Sequence, residues 1–421
     1  MMKTVRALLS LIVGLAIMGL AGCGHYNCGI TFGASSCTPS GSGLGTTGGT
    51  STTAAFAFAI DTAGTIDGYT LNTTAGTFGP TPSYTGPTVP PSDFGTGMVV
   101  AQSQFLYAGF YTAGTLYGWS INPTTGALTA VNGSPYSAPF MGTVPSSLQA
   151  MITNPAGTML FIADASPSEI WVYLIGTDGT LTAVAGSPFS TGTLQPGGLA
   201  IDGLGKYLYV TQNFSNHTGS EVGAYSIGSN GALTIVPGSP FAYPMGEVHG
   251  EPTGKYLIGT TGNTLSISGV DVDQLWVFGI QQSGANAGAI APVSGSPFTT
   301  TFSPYSLAVQ PNASGNLVYS FGLNDADTGY NPVEGYQINP STGFLTAING
   351  SPFTNAAIGY WGQFDQSGAF LFLYSSVFNS STGTVTNQLG ALDLGTNGVL
   401  TEPTSPVTLA TQGYWAVTDP K

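Results

Sequence analysis

The sequence GALTIVPGSPF, which runs from Gly231 to Phe241, belongs to a phrase that recurs along the chain. Closely similar phrases are GALTAVNGSPY at residues 126–136 and GTLTAVAGSPF at residues 179–189. Two further copies end in GSPF, and two weaker copies flank the series, so the phrase occurs seven times. The prolines of the seven copies lie at positions 82, 135, 188, 240, 297, 352 and 406. The first and last prolines are 324 positions apart, so the six intervals average 54 residues.

Three more phrases keep this period. One has an aromatic residue two positions before an aliphatic residue, as in Tyr225 and Ile227, and another is KYLYV at residues 206–210. The remaining phrase is GLAID at residues 198–202. Each repeat is therefore predicted to contain four short strands separated by turn residues. A period near 50 with four strands is typical of a propeller blade, so we predict an all-β, seven-bladed β-propeller with four-stranded blades.

The two ends of the repeat region predict how the ring closes. The first repeat begins at residues 56–60, which match the second strand of a blade, and it lacks a first strand. The chain ends with residues 412–420, which match a first strand and have no successor. We therefore expect the C-terminal strand to complete the first blade and to remove the open sheet edges. On this interpretation residues 54–421 form one propeller domain.

The composition excludes several classes of protein. Only 6% of the residues are charged, 62 are glycine and 42% are hydrophobic, and the net charge is −14. A disordered chain would be poorer in apolar residues, and a helical bundle would be richer in charged helix formers. Five lysines and arginines in total cannot form a basic patch, so nucleic-acid binding is excluded.

The N-terminus has the features of a targeting segment. Lys3 and Arg6 precede an apolar run at residues 7–18, which is too short for a convincing spanning helix. The sequence LAGC at residues 20–23 resembles a bacterial lipobox. The resemblance implies a signal peptide at residues 1–22, acylation of Cys23, and palmitate-type anchoring in the bacterial cell envelope. The alternative is an ordinary signal peptide followed by an incidental cysteine.

The segment after the cleavage site is predicted to be a lipid-anchored tether at residues 23–53. Its second half is rich in Ser, Gly and Thr, which is typical of a flexible linker. Gly24 is not the aspartate that resembles an inner-membrane retention signal, so the outer membrane or cell surface is the expected location. Cys28 and Cys37 either form a disulfide in the tether or remain as free thiols.

The repeats resemble a known family. The sequence YVTQN at residues 209–213 and the recurring GSPF phrases resemble the seven-bladed lactonase-like propellers, including the YVTN-repeat proteins. The resemblance covers residues 54–420 and is specific for the architecture. It implies a lactone-acting hydrolase or a binding propeller, because many members of the family have no demonstrated reaction.

One predicted first strand carries the strongest candidate for chemistry. Glu247, His249 and Glu251 alternate along it, so they are expected on one side of the strand. A histidine beside carboxylates suits a general base, with the two glutamates orienting it, and it also suits a metal ligand. The alternative is a structural histidine paired with a buried glutamate. We expect a site at the channel mouth formed by the loops before the first strands and after the second strands.

Acidic pairs in the predicted loops of the fifth and sixth repeats offer oxygen ligands. They are Asp271 with Asp273 and Asp325 with Asp327, and Glu334 follows the second pair. Carboxylates at alternate positions suit Ca²⁺, although the spacing departs from that of an EF-hand loop. The alternative is ordinary polar turn chemistry, in which case the protein has no cofactor.

Two functions remain open at this point. The first is a lipid-anchored binding or scaffold propeller, with an envelope protein or a neutral carbohydrate or lactone as its partner. The second is a hydrolase acting on an uncharged lactone or sugar. A phosphorylated lactone is disfavoured because Arg6 is the only arginine and lies in the signal peptide.

Overall fold

A computed structural model gives the fold. It describes residues 55–60, 65–72, 77–79, 84–88, 95–110, 114–137, 150–212, 221–261, 274–311, 316–322, 333–353, 361–364, 368, 370–379, 384–401, 407–409 and 415–417. All of these residues belong to one compact unit, Ser51–Lys421. In these residues no helix is long and apolar enough to cross a membrane.

The described chain consists almost entirely of short strands. The first fourteen are β1 (Ala55–Ile60), β2 (Thr65–Asn72), β3 (Thr77–Phe78), β4 (Tyr84–Thr88), β5 (Gly95–Ala101), β6 (Phe105–Phe110), β7 (Thr115–Ile121), β8 (Leu128–Ala130), β9 (Tyr136–Ser137), β10 (Met151–Thr153), β11 (Met159–Asp164), β12 (Glu169–Ile175), β13 (Leu181–Ala183) and β14 (Phe189–Ser190).

The remaining strands follow in the same order of short strands and turns, and a 3-10 turn lies at Thr396–Gly398. They are β15 (Pro196–Ile201), β16 (Tyr207–Gln212), β17 (Val222–Ile227), β18 (Leu233–Ile235), β19 (Glu247–Gly250), β20 (Tyr256–Thr260), β21 (Gln274–Ile280), β22 (Ile290–Pro292), β23 (Phe298–Thr299), β24 (Pro304–Val309), β25 (Leu317–Gly322), β26 (Val333–Ile338), β27 (Leu345–Ala347), β28 (Trp361–Phe364), β29 (Phe370–Asn379), β30 (Thr384–Leu394), β31 (Leu400–Thr401), β32 (Val407–Leu409) and β33 (Trp415–Val417).

Within the described residues these strands form seven antiparallel sheets, numbered I to VII in chain order. Sheets II to VII each contain four strands in sequence order, for example β15-β16-β17-β18 in sheet IV. Sheet I has the order β3-β2-β1-β33, because the C-terminal strand pairs with β1 through Ala57 and Val417. A fifth short strand pairs with the third strand in five of the seven sheets.

Among the residues that the structure describes, seven apolar clusters join these sheets to one another. Six of them lie between sheets that are consecutive in sequence, and the seventh packs Ala57 of sheet I against Phe372 of sheet VII. Representative pairs of the other six are Phe58 with Leu106, Tyr107 with Leu160, Phe161 with Leu208, Tyr209 with Leu257, Ile258 with Val318, and Tyr319 with Leu371. Each sheet thus buries both faces against its neighbours, which explains the apolar strands with few charges. The all-β propeller expected from the repeats is confirmed.

The recurring Gly-Ser-Pro phrase forms a turn that clamps the third strand of its own sheet. In the fourth repeat Ser239 Oγ accepts a hydrogen bond from the Ala224 backbone N–H at 2.8 Å. The equivalent serines 134, 187, 296 and 351 accept backbone N–H donors at 2.9 to 3.0 Å. A hydroxyl at this position therefore satisfies a strand N–H in every one of these repeats, which accounts for the recurrence of serine.

Buried tyrosines also link neighbouring sheets. Tyr107 donates its hydroxyl hydrogen bond to Gly179 O at 2.7 Å, and Tyr209 donates to Gly288 O at 3.0 Å. Tyr319 makes the same bond to Gly398 O at 2.5 Å. Each tyrosine lies in the second strand of a sheet, and each acceptor lies in the turn before the fourth strand of the next sheet. These bonds fix the separation of adjacent sheets.

Candidate functional site

A cavity lies where the first strands of four sheets end. It is lined by residues of β10, β15, β19 and β24 and by the turns that follow them, and its volume is about 460 Å³. Since these are edge strands, their outer backbone edges are not covered by another strand of the same sheet. The volume lies within the range of small-molecule sites.

This cavity is at the opposite end of the first strands from the mouth expected from the sequence. Its lining includes the turn residues Pro155, Gly203, Pro252 and Pro311, all of which follow a first strand. The mouth expected from the sequence is formed by the loops that precede the first strands and by those that follow the second strands. Some of those loops lie outside the described residues, so a second site there stays a prediction.

Among the described residues that line the cavity, the one with a titratable side chain is His249. Its Nε2 lies 2.6 Å from Glu247 Oε1, and the two side chains are 20% and 10% exposed. In the sheet, Glu247 is paired with Thr260 and His249 with Ile258. The two residues are two positions apart on β19, so the period of the strand places them on the same side.

The other side of β19 lies against sheet IV. A Cβ atom on Gly250 would come within 2.1 Å of the Ile201 carbonyl oxygen. A Cβ atom on Gly203 would likewise come within 2.2 Å of Pro252 O. These two glycines allow the ends of β15 and β19 to approach backbone to backbone, which closes the cavity wall between the two sheets.

Glu251, the third residue of the predicted set, lies in the turn after β19. It is 1% exposed, and its two carboxylate oxygens accept hydrogen bonds from the backbone N–H and the hydroxyl of Thr253. The equivalent residue in sheet IV is Asp202, whose Oδ1 accepts the N–H groups of Lys206 and Tyr207, each at 2.6 Å. Burial raises the pKa of Asp202, and these N–H donors oppose the rise. This position therefore shapes a turn in both repeats, while orientation of His249 by Glu251 stays a prediction.

The rest of the cavity wall is part polar and part apolar. Ile152, Ile201 and Val309 line it with half-buried side chains. The side chains of Leu199 and Val248 are 1% exposed and pack between the sheets. Asn154 also lines the cavity, but its side chain is engaged with Thr158 and with the Met159 backbone N–H. Among the described residues the lysines are Lys206 and Lys255, and neither lines the cavity. Lys255 donates a hydrogen bond to Pro340 O at 3.4 Å.

The predicted calcium ligands Asp271, Asp273, Asp325 and Asp327 lie outside the described residues, so the calcium site stays a prediction. Glu334 is described and is 3% exposed. Its carboxylate accepts hydrogen bonds from the Thr301 N–H, the Thr301 hydroxyl and the Tyr336 hydroxyl. It therefore anchors the segment that leads into β24. In the described part of the chain no group of three or more His, Cys, Asp or Glu side chains is placed to hold a metal ion.

One buried acid in sheet III is not among the candidate residues indicated by the sequence. Asp164 has no exposed surface and lies opposite Glu169 in the β11–β12 pairing. Burial raises the pKa of Asp164 to about 6, the Ser166 N–H lowers it, and the charge of Glu169 raises it further. A single aspartate at the end of a strand gives no signal in the sequence that it will be buried.

Comparisons with known proteins support the fold alone. No protein-family model and no curated protein matches the chain. The structure of the periplasmic gluconolactonase from Pseudomonas aeruginosa has a TM-score of 0.60 at 13% identity, covering 87% of this chain and all of that one. A Bacteroides fragilis protein with the provisional name 6-phosphogluconolactonase has a TM-score of 0.60 at 15% identity, over 89% of this chain and all of that one. A Lactobacillus plantarum protein has a TM-score of 0.60 at 17% identity, over 87% and 98% of the chains.

These neighbours define the class of the protein. It is a β-propeller whose structural neighbours are lactonase-like propellers. At identities of 13 to 17% the likeness extends to the architecture and not to the reaction.

Proposed function

We propose that the protein is a lipid-anchored propeller of the bacterial cell envelope that binds a small uncharged ligand in the cavity beside His249. The anchor is the acylated Cys23, and the tether at residues 23–53 holds the propeller away from the membrane. The seven sheets are the seven blades of one ring, and the pairing of β33 with β1 closes it. Cluster contacts between sheets VII and I support this closure.

One observation carries the binding function. The imidazole of His249, held by Glu247 at 2.6 Å, lies in a cavity whose other described lining side chains are uncharged. A wall of this kind can bind a neutral molecule through hydrogen bonds and through burial of apolar surface. Apart from His249, which is paired with Glu247, the described wall offers no cationic side chain to a phosphate or carboxylate, so a phosphorylated sugar lactone is disfavoured.

Ligand binding can be tested by filling the cavity. Thr153 lines the cavity and is half-buried, so Thr153→Trp should occupy much of the space. Thr182 lies exposed on β13, and Thr182→Trp is the matched control. A panel of neutral lactones should bind the wild type and the Thr182→Trp variant, as measured by calorimetry, and should not bind Thr153→Trp. Equal binding to both variants would place the site elsewhere.

The second candidate function is hydrolysis of an uncharged lactone, and the pair of His249 with Glu247 is the observation that favours it. In this reaction the imidazole takes a proton from water as the water oxygen attacks the carbonyl carbon. The ring C–O bond then breaks, and the imidazolium returns the proton to the leaving alkoxide. Glu247 stabilises the imidazolium through its negative charge.

Turnover distinguishes the two functions. Hydrolysis predicts proton release from a neutral lactone that is lost in His249→Gln and strongly reduced in Glu247→Gln. If the wild type binds the lactone with no release above the uncatalysed rate, the protein is a binding propeller.

A further inference from the structure

The recurring Gly-Ser-Pro turns differ chemically between repeats, at a position that the proposed functions do not use. The residue before the turn glycine is asparagine in sheets II and VI, at Asn132 and Asn349, whereas it is alanine, proline or serine in sheets III, IV and V. We propose that Asn349, and more slowly Asn132, are sites of spontaneous modification, at which the asparagine deamidates to an aspartyl or isoaspartyl residue.

The reaction needs only the neighbouring peptide group and water. The backbone nitrogen of the following glycine loses its proton to hydroxide and attacks the side-chain carbonyl carbon, Cγ, of the asparagine. The new N–C bond closes a five-membered succinimide as the Cγ–Nδ2 bond breaks, and the side-chain nitrogen takes a proton from water and leaves as ammonia. Water then adds to one of the two imide carbonyls and opens the ring. The product is an aspartyl residue or an isoaspartyl residue, whose main chain passes through Cγ.

The sequence alone offers four such sites. Asn–Gly pairs lie at residues 132–133, 230–231, 349–350 and 397–398, and all four asparagines are exposed. A following glycine favours the attack because it has no side chain to shield its nitrogen. Ring closure also turns the peptide group between the two residues. The glycine must therefore have an N–H without a hydrogen bond and must be able to move, and this requirement separates the four pairs.

Two of the four pairs are held in packed turns. The N–H of Gly231 donates to Gly228 O at 2.8 Å, and the N–H of Gly398 donates to Gly395 O at 3.0 Å. Both donor glycines are buried. Loss of the partner of a buried N–H is costly, so ring closure at these two pairs should be at least about fivefold slower than at a pair with an exposed, unbonded glycine.

The two pairs in the Gly-Ser-Pro turns are not held in this way. Gly133 and Gly350 are exposed, and their φ angles of 84° and 86° are those of the third residue of a type II turn. The hydrogen bond that closes such a turn comes from the next residue, and here the N–H of Ser134 donates to Val131 O at 3.1 Å. Within the described residues no group accepts a hydrogen bond from the N–H of either glycine.

One contact distinguishes the two exposed pairs from each other. The hydroxyl of Tyr136 donates to Asn132 O at 2.9 Å, and this carbonyl belongs to the peptide group that must turn. The equivalent residue in sheet VI is Phe353, which has no hydroxyl. Because this exposed hydrogen bond must break before the ring closes, Asn132 should react about two- to fivefold more slowly than Asn349.

Modification at Asn349 acts on the turn that clamps the third strand. Ser351 lies two positions later, and its Oγ accepts the Gly335 N–H at 3.0 Å. An isoaspartyl residue adds one atom to the main chain of the turn and displaces the serine from this contact. Either product also adds a carboxylate to a chain whose net charge is already −14.

The test follows all four asparagines in one sample. The full mature chain is incubated at mildly alkaline pH in ¹⁸O-labelled water, which marks only the deamidation that occurs during the incubation. Peptides from digestion with pepsin at acid pH are then quantified by mass spectrometry. We expect the fastest reaction at Asn349, followed by Asn132, and reactions at Asn230 and Asn397 at least about fivefold slower than at Asn349. In the urea-unfolded chain the four rates should converge, because all four pairs have the same following glycine.

Two variants locate the effect. Tyr136→Phe removes the hydroxyl and should raise the rate at Asn132 to that at Asn349, without changing the rate at Asn349. Asn349→Ser copies Ser294, the equivalent residue of sheet V, and should remove most of the acidic form that ion-exchange chromatography separates from the incubated protein.

The contradicting outcomes are equally specific. Equal rates at the four sites of the folded protein, or the fastest reaction at Asn230 or Asn397, would overturn the assignment. So would an unmodified Asn349 after a time in which the unfolded chain has reacted completely. An unchanged rate at Asn132 in Tyr136→Phe would overturn the protective role of the Tyr136 hydrogen bond.

Discussion

The hydrogen bond from Tyr209 to Gly288 gives a quantitative test of how neighbouring sheets are held together. Tyr209 is fully buried in sheet IV, and its hydroxyl donates to the buried Gly288 carbonyl of sheet V at 3.0 Å. Burial raises the pKa of Tyr209 well above its usual range, with smaller contributions from Asp202 and Tyr207. The hydroxyl therefore remains protonated, and remains a donor, throughout the physiological pH range.

The change Tyr209→Phe keeps the ring and removes the donor. It leaves a buried carbonyl oxygen without its partner, which costs about 1–3 kcal/mol of the free energy of unfolding. For a unit the size of Ser51–Lys421, the entropy of unfolding is about 0.8 kcal/mol per kelvin, so the melting temperature should fall by about 1–4 °C. The equivalent changes at Tyr107 and Tyr319 lie at other sheet interfaces, and the three effects should add.

Differential scanning calorimetry of the single and triple variants measures this directly. Tyr225→Phe is the control, since Tyr225 is 6% exposed and its hydroxyl makes no hydrogen bond within the described residues. The triple variant should melt about 4–12 °C below the wild type, and the control within about 1 °C of it. A triple variant that melts like the control would refute the claim that these hydroxyls join adjacent sheets.

Four further predictions concern the anchor, the ring, the turns and one buried acid. Cys23→Ser should move the protein from the membrane to the soluble exported fraction or leave it as precursor; lipidated protein in this variant would contradict the lipobox. Deletion after Thr411 removes β33 and leaves the β1 edge without its partner. The free energy of unfolding should therefore fall by several kcal/mol, or the protein should aggregate. An unchanged melting curve would mean that the ring closes differently. Ser239→Ala removes the acceptor of the Ala224 N–H and should cost about 1–3 kcal/mol in chemical denaturation, whereas no loss would make the serine dispensable. Because the pKa of Asp164 is raised to about 6, its contribution to stability is lost as the pH rises through 6. The Asp164→Asn variant should therefore be more stable than the wild type at pH 7 and not at pH 4. Equal pH profiles of stability for the two proteins would contradict the burial of Asp164.

The repeats were sufficient to predict the propeller because the same contacts within one sheet recur from repeat to repeat. The phrase at residues 231–241 contains a glycine-bounded strand and a Gly-Ser-Pro turn, and its serine bonds to the preceding strand of the same sheet. These contacts are local in sequence, so they leave a periodic signal. The alternation of Glu247 and His249 was also visible, because the strand period is two and the pair lies on one side of β19.

Contacts between sheets leave no such signal. The tyrosine hydroxyl of one repeat bonds to a backbone carbonyl of the next, 72 to 79 positions away, and any residue supplies a carbonyl. The position of the cavity at one end of the first strands likewise depends on how four sheets pack together, and the sequence of a single repeat does not encode this. The role of Glu251 was within reach of the sequence, since the repeats align it with Asp202, and both residues bond to the turn that follows them.

The imidazole resonances of His249 test most directly whether this side chain faces a bound neutral ligand. The chain has three histidines, so a protein labelled with ¹⁵N-histidine gives a simple spectrum, and the His249→Gln variant assigns the signals. On titration with a neutral lactone, the resonances of His249 should shift with saturable dependence, while those of His25 and His217 should not change. Unchanged His249 resonances at concentrations where calorimetry shows binding would contradict this expectation.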